Sequence, residues 1–153
     1  MAADLDALDL FLADARQRRW DWASVNCALW VADWVECATG VDPAEGWRGR
    51  GNDADEWRAV INDGGGFMPI IGEAMDADFE RTQSPQRGDV GIISVPVSRC
   101  DRMPVVGVVA GICAAPSMMD ERPVFVARSI RALCFDRFPL VTAWEVKCKT
   151  IQS

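Results

Sequence analysis

The sequence predicts an α+β fold in one domain, residues 1–153. Helical periodicity fills the first half, over about residues 4–80. β-Branched runs separated by turn residues fill the second half, over about residues 88–149. Helices come first and strands follow, which favours α+β over alternating α/β. Half of the 153 residues are hydrophobic, enough for one compact core.

Residues 4–18 form the first expected helix. Leu5, Leu8, Leu12 and Ala15 recur at three- and four-residue spacing, with Phe11 beside them. Asp4 and Asp6 in its first turn and Arg16, Arg18 and Arg19 at its end suit the helix dipole. A second helix is expected from about Cys27 to Thr39, capped by Ser24 or Asn26 and ended by Gly40. It is apolar on nearly every side, the mark of a central, buried helix. Residues 41–52 carry Pro43, Gly46, Gly49 and Gly51 and read as a loop. Asn52 or Asp53 then caps a short helix through Glu56, Trp57, Val60 and Ile61, which Gly64-Gly65-Gly66 breaks. Another short helix runs from about Met68 to Asp76, with Pro69 in its first turn. Strands are expected at Val90–Val95, Val105–Ile112, Pro123–Ser129 and Leu140–Lys149, with a short one around Ala132–Phe135. Met118-Met119, near Pro116 and Pro123, marks an irregular connection that serves either as an adaptable contact or as a gap filler.

Sixteen basic and twenty-three acidic residues give a net charge of −7, which argues against nucleic-acid partners and anionic membrane surfaces. No apolar run is long enough for a membrane helix. The acidic N-terminal residues do not read as a signal peptide, so synthesis in a cytoplasm is expected. There is no histidine, and the six cysteines form no Cys-x-x-Cys pair, so no metal site is expected. Apart from Cys27, the cysteines are expected to be reduced and mostly buried. Gly64-Gly65-Gly66 lacks the Lys-Ser/Thr of a phosphate loop, and no cofactor is expected.

The stretch Trp20-Asp21-Trp22-Ala23-Ser24-Val25-Asn26-Cys27-Ala28-Leu29-Trp30 carries the most chemical information. It puts a cysteine in the first turn of a buried helix, where free backbone N–H groups favour a thiolate. Aromatic residues, Asn-Cys and an apolar helix ending in glycine resemble the opening of the NlpC-type cell-wall peptidases. Pro85-Gln86-Arg87-Gly88-Asp89-Val90-Gly91-Ile92 resembles their turn into the first core strand, and Val105-Val106-Gly107-Val108-Val109-Ala110-Gly111 their second strand. Ala143-Trp144-Glu145-Val146 fits a final strand. The resemblance implies a papain-like NlpC-type fold, with N-terminal helices packed on a small antiparallel sheet or partial barrel. Cys27–Trp30, Trp47–Arg50 and Ala143-Trp144 together look closest to small tail-tip or baseplate proteins of bacteriophages and gene transfer agents. That implies a virion tail component whose partners are hub or tail-tip proteins.

The resemblance also locates a lesion. Cys27 takes the nucleophile position, and Val105 falls where the family's base histidine begins the second strand. Loss of such a base costs orders of magnitude in rate, and no residue stands ready to protonate a leaving amine. Among carboxylates, Asp21 reads as a turn residue and Asp89 as the turn aspartate of the Gly-Asp pair. Asp33 lies six residues beyond Cys27 and projects about 120° away from it on the helix.

Three function classes follow. The first is a tail-tip structural protein, a pseudoenzyme that has lost peptidase chemistry. The second is a divergent peptidoglycan hydrolase using Cys27 without a histidine base. The third is a metal- or cluster-binding module, which the wide cysteine spacing disfavours. Trp20, Trp22, Trp30 and Trp34 are expected in the core. Trp47, with Arg48 and Arg50 in the glycine-rich loop, is the expected protein interface.

Overall fold

The computed structural model describes residues 6–95 and 107–147. Among the described residues, four helices precede a six-stranded antiparallel sheet, the α+β arrangement expected. The helices are α1 (Ala7–Ala15), α2 (Cys27–Thr39), α3 (Ala54–Asp63) and α4 (Phe67–Asp76). The strands are β1 (Arg81–Thr82), β2 (Val90–Val95), β3 (Gly107–Ala115), β4 (Val124–Arg128), β5 (Leu133–Asp136) and β6 (Leu140–Trp144). The whole connection between β2 and β3, residues 96–106, falls outside the described residues, and with it Val105.

Helix α1 is shorter than residues 4–18. Asp6 caps it in a reciprocal box with Asp9, and Leu8, Leu12 and Ala15 are its buried face. It ends at Ala15, so Arg16, Arg18 and Arg19 lie beyond its last turn. The cation at that end comes from β4 instead. Arg128 is buried, and its guanidinium donates to the carbonyls of Ala15 and Arg18. A charge delivered from a distant strand cannot be read from local helix signals.

Helix α2 has the expected bounds because both ends are locally coded. The Asn26 side chain accepts from the N–H groups of Ala28 and Leu29, and Gly40 closes the helix in the left-handed region at φ 83°. Its apolar surface packs on one face of the sheet. Trp30, Trp34 and Val35 meet Val90, Ile92, Ala110, Ile112, Val126 and Trp144 in one core cluster. Trp34 Nε1 also donates to the carbonyl of Gly88 at 2.7 Å, tying the helix to the turn before β2.

The strand order is β1-β6-β2-β3-β4-β5. Strands β2 to β5 form a meander, and β6 returns to the free side of β2. Only residues 137–139 join β5 to β6. In a flat sheet those two strands would stand four spacings apart, about 19 Å. Four Cα steps reach at most about 14 Å. The sheet must therefore curl, bringing its β5 side round towards β6. Phe138, from this short link, is buried in a second cluster with Ile93, Val95, Val109, Cys113, Phe125 and Ala127.

Gly91 lies in β2 between Gly111 of β3 and Ala143 of β6. A Cβ there would stand 2.7 Å from the Thr142 carbonyl oxygen on β6. Gly91→Ala is expected to cost about 1–3 kcal/mol by forcing β2 and β6 apart, measured by urea unfolding.

Trp30 and Trp34 are in the core as expected, while Trp20 and Trp22 are half-buried and meet edge to face at 5.0 Å. The Met118-Met119 connection is a hairpin tip, with Met119 almost fully exposed at φ 55°, so neither methionine fills a core gap. Among the other cysteines, Cys113 is buried and free, as expected. Cys37 is exposed and Cys134 is disulfide-bonded, which corrects the expectation of buried, reduced thiols. Cys100 and Cys148 lie outside the described residues. Among the described residues, no helix is long and apolar enough to cross a membrane.

Candidate functional site

Cys27 is the first residue of α2, with its cap Asn26 immediately before it. The Asn26 side chain is held on both sides. Its oxygen accepts from α2, and its Nδ2 donates to the Trp22 carbonyl at 3.1 Å. The same carbonyl accepts from Trp57 Nε1, so α3 is stitched to the segment leading into Cys27. Local sequence thus places the cysteine at the start of the central helix.

The surroundings of the thiol are those of a core residue. Cys27 is 4% exposed and packs in the cluster containing Ile93, Val95, Val109 and Phe125. Burial pushes its pKa up to about 12. The backbone N–H groups of Ala28 and of Cys27 itself pull the other way, as expected at a helix start, but the loss of hydration wins. A pKa near 12 leaves roughly one thiolate in 10⁵ at pH 7. This overturns the expectation that the helix start would favour the thiolate.

Each candidate carboxylate is engaged elsewhere. Asp21 closes a turn, accepting from the N–H of Ala23 and the hydroxyl of Ser24. Asp33 accepts from Arg18 and from Arg48, at 3.2 and 2.9 Å. Asp89 is buried and is the turn aspartate. Its two oxygens accept from the N–H groups of Gln86 and Val146, at 2.8 and 2.9 Å. Its main chain pairs with Cys113, and Gly88 takes φ 96° in the same turn. Burial raises the pKa of Asp89. Among the described residues, no group of three or more His, Cys, Asp or Glu side chains is placed to hold a metal ion.

Trp47, Arg48 and Arg50 divide their roles. Arg48 is half-buried and grips Asp42 with both Nε and Nη2, at 2.7 and 3.1 Å, while also reaching Asp33. It pins the loop to α2. Burial is the largest single influence on Asp42 and raises its pKa, but the Arg48 guanidinium and the Ala44 N–H together outweigh it and hold the carboxyl below its usual value. Arg48→Met is expected to cost about 1–2 kcal/mol in urea unfolding, because two partly buried carboxylates lose their shared cation. Arg48→Lys is expected to recover only part of that, since a point charge cannot reproduce the two-armed contact. Arg50 is exposed and stacks over the Trp47 ring at 4.5 Å. Trp47 is half-buried and forms one wall of an apolar groove of about 120 Å³ between α2, α3, α4 and the loop. Trp22, Cys27, Trp57, Ile71 and Met75 form other parts of its lining.

Three contributors carry little or no local signal in the sequence. Trp57 falls in an expected helix, but its partner, the Trp22 carbonyl, lies far away in the chain. The short strand β1 left no periodicity to detect. Arg128, a lone charge inside an apolar strand, was the one detectable signal of a buried polar role.

Fold and site together define an α+β domain built around a buried, helix-start cysteine. The chain belongs to the DUF6950 family, a domain of unknown function, which it matches over residues 3–145. No curated protein and no solved structure gives a match to it.

Proposed function

We propose that the chain is a papain-like, NlpC-type domain that has lost peptidase chemistry and serves as a structural component of a phage tail tip or baseplate. The observation that carries this is the state of Cys27. It occupies the first turn of the central helix against a curled antiparallel sheet, yet its thiol is buried and pushed up to about 12. A nucleophile needs a thiolate, a base and access to substrate. Burial works against the first and last, and a histidine base is absent from the sequence.

The Arg50–Trp47 stack beside the apolar groove supports a docking role on neighbouring hub or tail-tip proteins. Arg48 belongs to the scaffold of that surface. On this reading the domain works without metal, cofactor, nucleic acid or membrane insertion.

A peptidoglycan hydrolase using Cys27 is the second reading, favoured by the groove that reaches Cys27. A dye-release assay on purified cell walls separates the two. The structural reading predicts the same background release from the wild type and from Cys27→Ala, with the protein recovered by mass spectrometry in purified tail particles. Release that disappears in Cys27→Ala would establish the hydrolase instead.

A further inference from the structure

A second cavity, of about 280 Å³, opens between the end of α1 and the β4–β5 hairpin. Arg16, Arg18, Arg128 and Arg131 line it, with Leu133 and Phe135 on an apolar side. Among the described residues that line it, none is acidic. Four arginines around one hollow are conspicuous in a protein of net charge −7.

Arg128 is the centre of this arrangement. It is 4% exposed, and its two terminal nitrogens donate to the carbonyls of Ala15 and Arg18. Its Nε is buried and has no acceptor. Its partners are neutral carbonyls, so the buried charge has no counter-ion among the described residues. The α1 carbonyls offset its charge only in part, and burial and the neighbouring Arg18 charge both lower its pKa. Arg18 is shared with Asp33, and Arg16 is exposed on the rim.

We propose that this cavity binds a phosphate group, either as the free ion or as a small phosphomonoester. Guanidinium groups match phosphate oxygens in geometry and are weakly hydrated, so they bind them at low desolvation cost. A bound phosphate would supply the missing counter-charge beside Arg128. The overall negative field and the small hollow select against long polyanions. The Leu133–Phe135 side suits an apolar substituent on a monoester.

The test is a titration of the full-length protein at neutral pH, followed by ¹H–¹⁵N spectra of the arginine Nε–H groups. Sodium phosphate and phenyl phosphate are the two ligands, and sodium chloride at equal ionic strength is the control. A saturable shift of the Arg128 Nε–H signal is expected with phosphate. The melting temperature should rise by about 4 °C at ten times Kd. Tighter binding of phenyl phosphate assigns the site to monoesters, and equal binding assigns it to the free ion. Arg16→Gln replaces an exposed residue, and it is expected to weaken binding about tenfold. A shift that matches chloride, or binding unchanged in Arg16→Gln, overturns the proposal.

Discussion

Trp34→Ala is expected to destabilise the protein by about 5 kcal/mol. Truncating a fully buried tryptophan costs about 3–5 kcal/mol through lost burial and the cavity left behind. Trp34 is 1% exposed and touches both Phe11 of α1 and the core of the sheet. The substitution also leaves the Gly88 carbonyl without its donor, a further cost of about 1–3 kcal/mol. Domains of this size are stable by only about 5–15 kcal/mol, so the variant is expected to lose much or all of its folded population. Trp34→Phe keeps most of the packing and is expected to cost about 2 kcal/mol, chiefly for the hydrogen bond. Urea unfolding of the three proteins checks this ordering. Equal stability of the Phe and Ala variants would mean that the Gly88 link, not the packing, holds α2 to the sheet.

The parts of the fold that were legible in the sequence are those coded by neighbouring residues. Asn26 and Gly40 fix the ends of α2, and Asp53 caps α3, within a few residues of the backbone groups they satisfy. The β2 bounds follow from a β-branched run with a glycine turn before it. What stayed hidden depends on residues far apart in the chain. The curl of the sheet comes from a three-residue link between strands at opposite sides of the order. The early end of α1 accompanies a guanidinium that arrives from β4. The same holds for the site. The helix-start position of Cys27 was readable, because it is local. The balance between the helix N–H groups and burial was not, because the burying residues come from β2, β3 and β4. Arg48 was readable as a charged loop residue, but its partners on α2 and in the loop were not.

The second large effect is an alkaline loss of stability. Cys27 and Cys113 are both pushed up by burial from an ordinary value of 9.0 to about 12. Folding therefore favours the protonated thiol. The stabilisation is fully present below about pH 9, where both states hold the proton. It is lost as pH rises towards 12, because the unfolded chain ionises first. A shift of three units corresponds to about 4 kcal/mol for Cys27. Few other groups obscure this window, since the chain has no tyrosine and no histidine, and its only lysines are Lys147 and Lys149. Between about pH 9.5 and 11 the two thiols together are expected to give a slope of about 2.7 kcal/mol per pH unit, and Cys27→Ala about half of that. Urea unfolding across this range measures both slopes. An unchanged slope in Cys27→Ala would mean that Cys27 does not retain its proton on folding.

The acid side tests the anchoring of α1. The Arg87 guanidinium holds the Asp6 carboxyl down at about 2, with further help from the Asp9 N–H, while partial burial works against them. That support is present above the ordinary carboxylate value of 3.8 and is lost as pH falls towards 2. Asp6 is half-exposed, so solvent screening keeps the effect small, within about 1 kcal/mol. Arg87→Gln is expected to remove it, as read from unfolding at pH 3 and pH 6.

The central claim is that Cys27, at the start of the buried helix, is a packing residue and not a nucleophile. Alkylation of the native protein with iodoacetamide at pH 7.5, read residue by residue by peptide mass spectrometry, tests it most directly. The exposed Cys37 serves as an internal reference. Cys27 is predicted to label slower than Cys37 by several orders of magnitude, and to reach the rate of Cys37 only when urea unfolds the chain. Labelling of native Cys27 as fast as Cys37, with a kinetic pKa below 9, would contradict the account and return the site to catalysis.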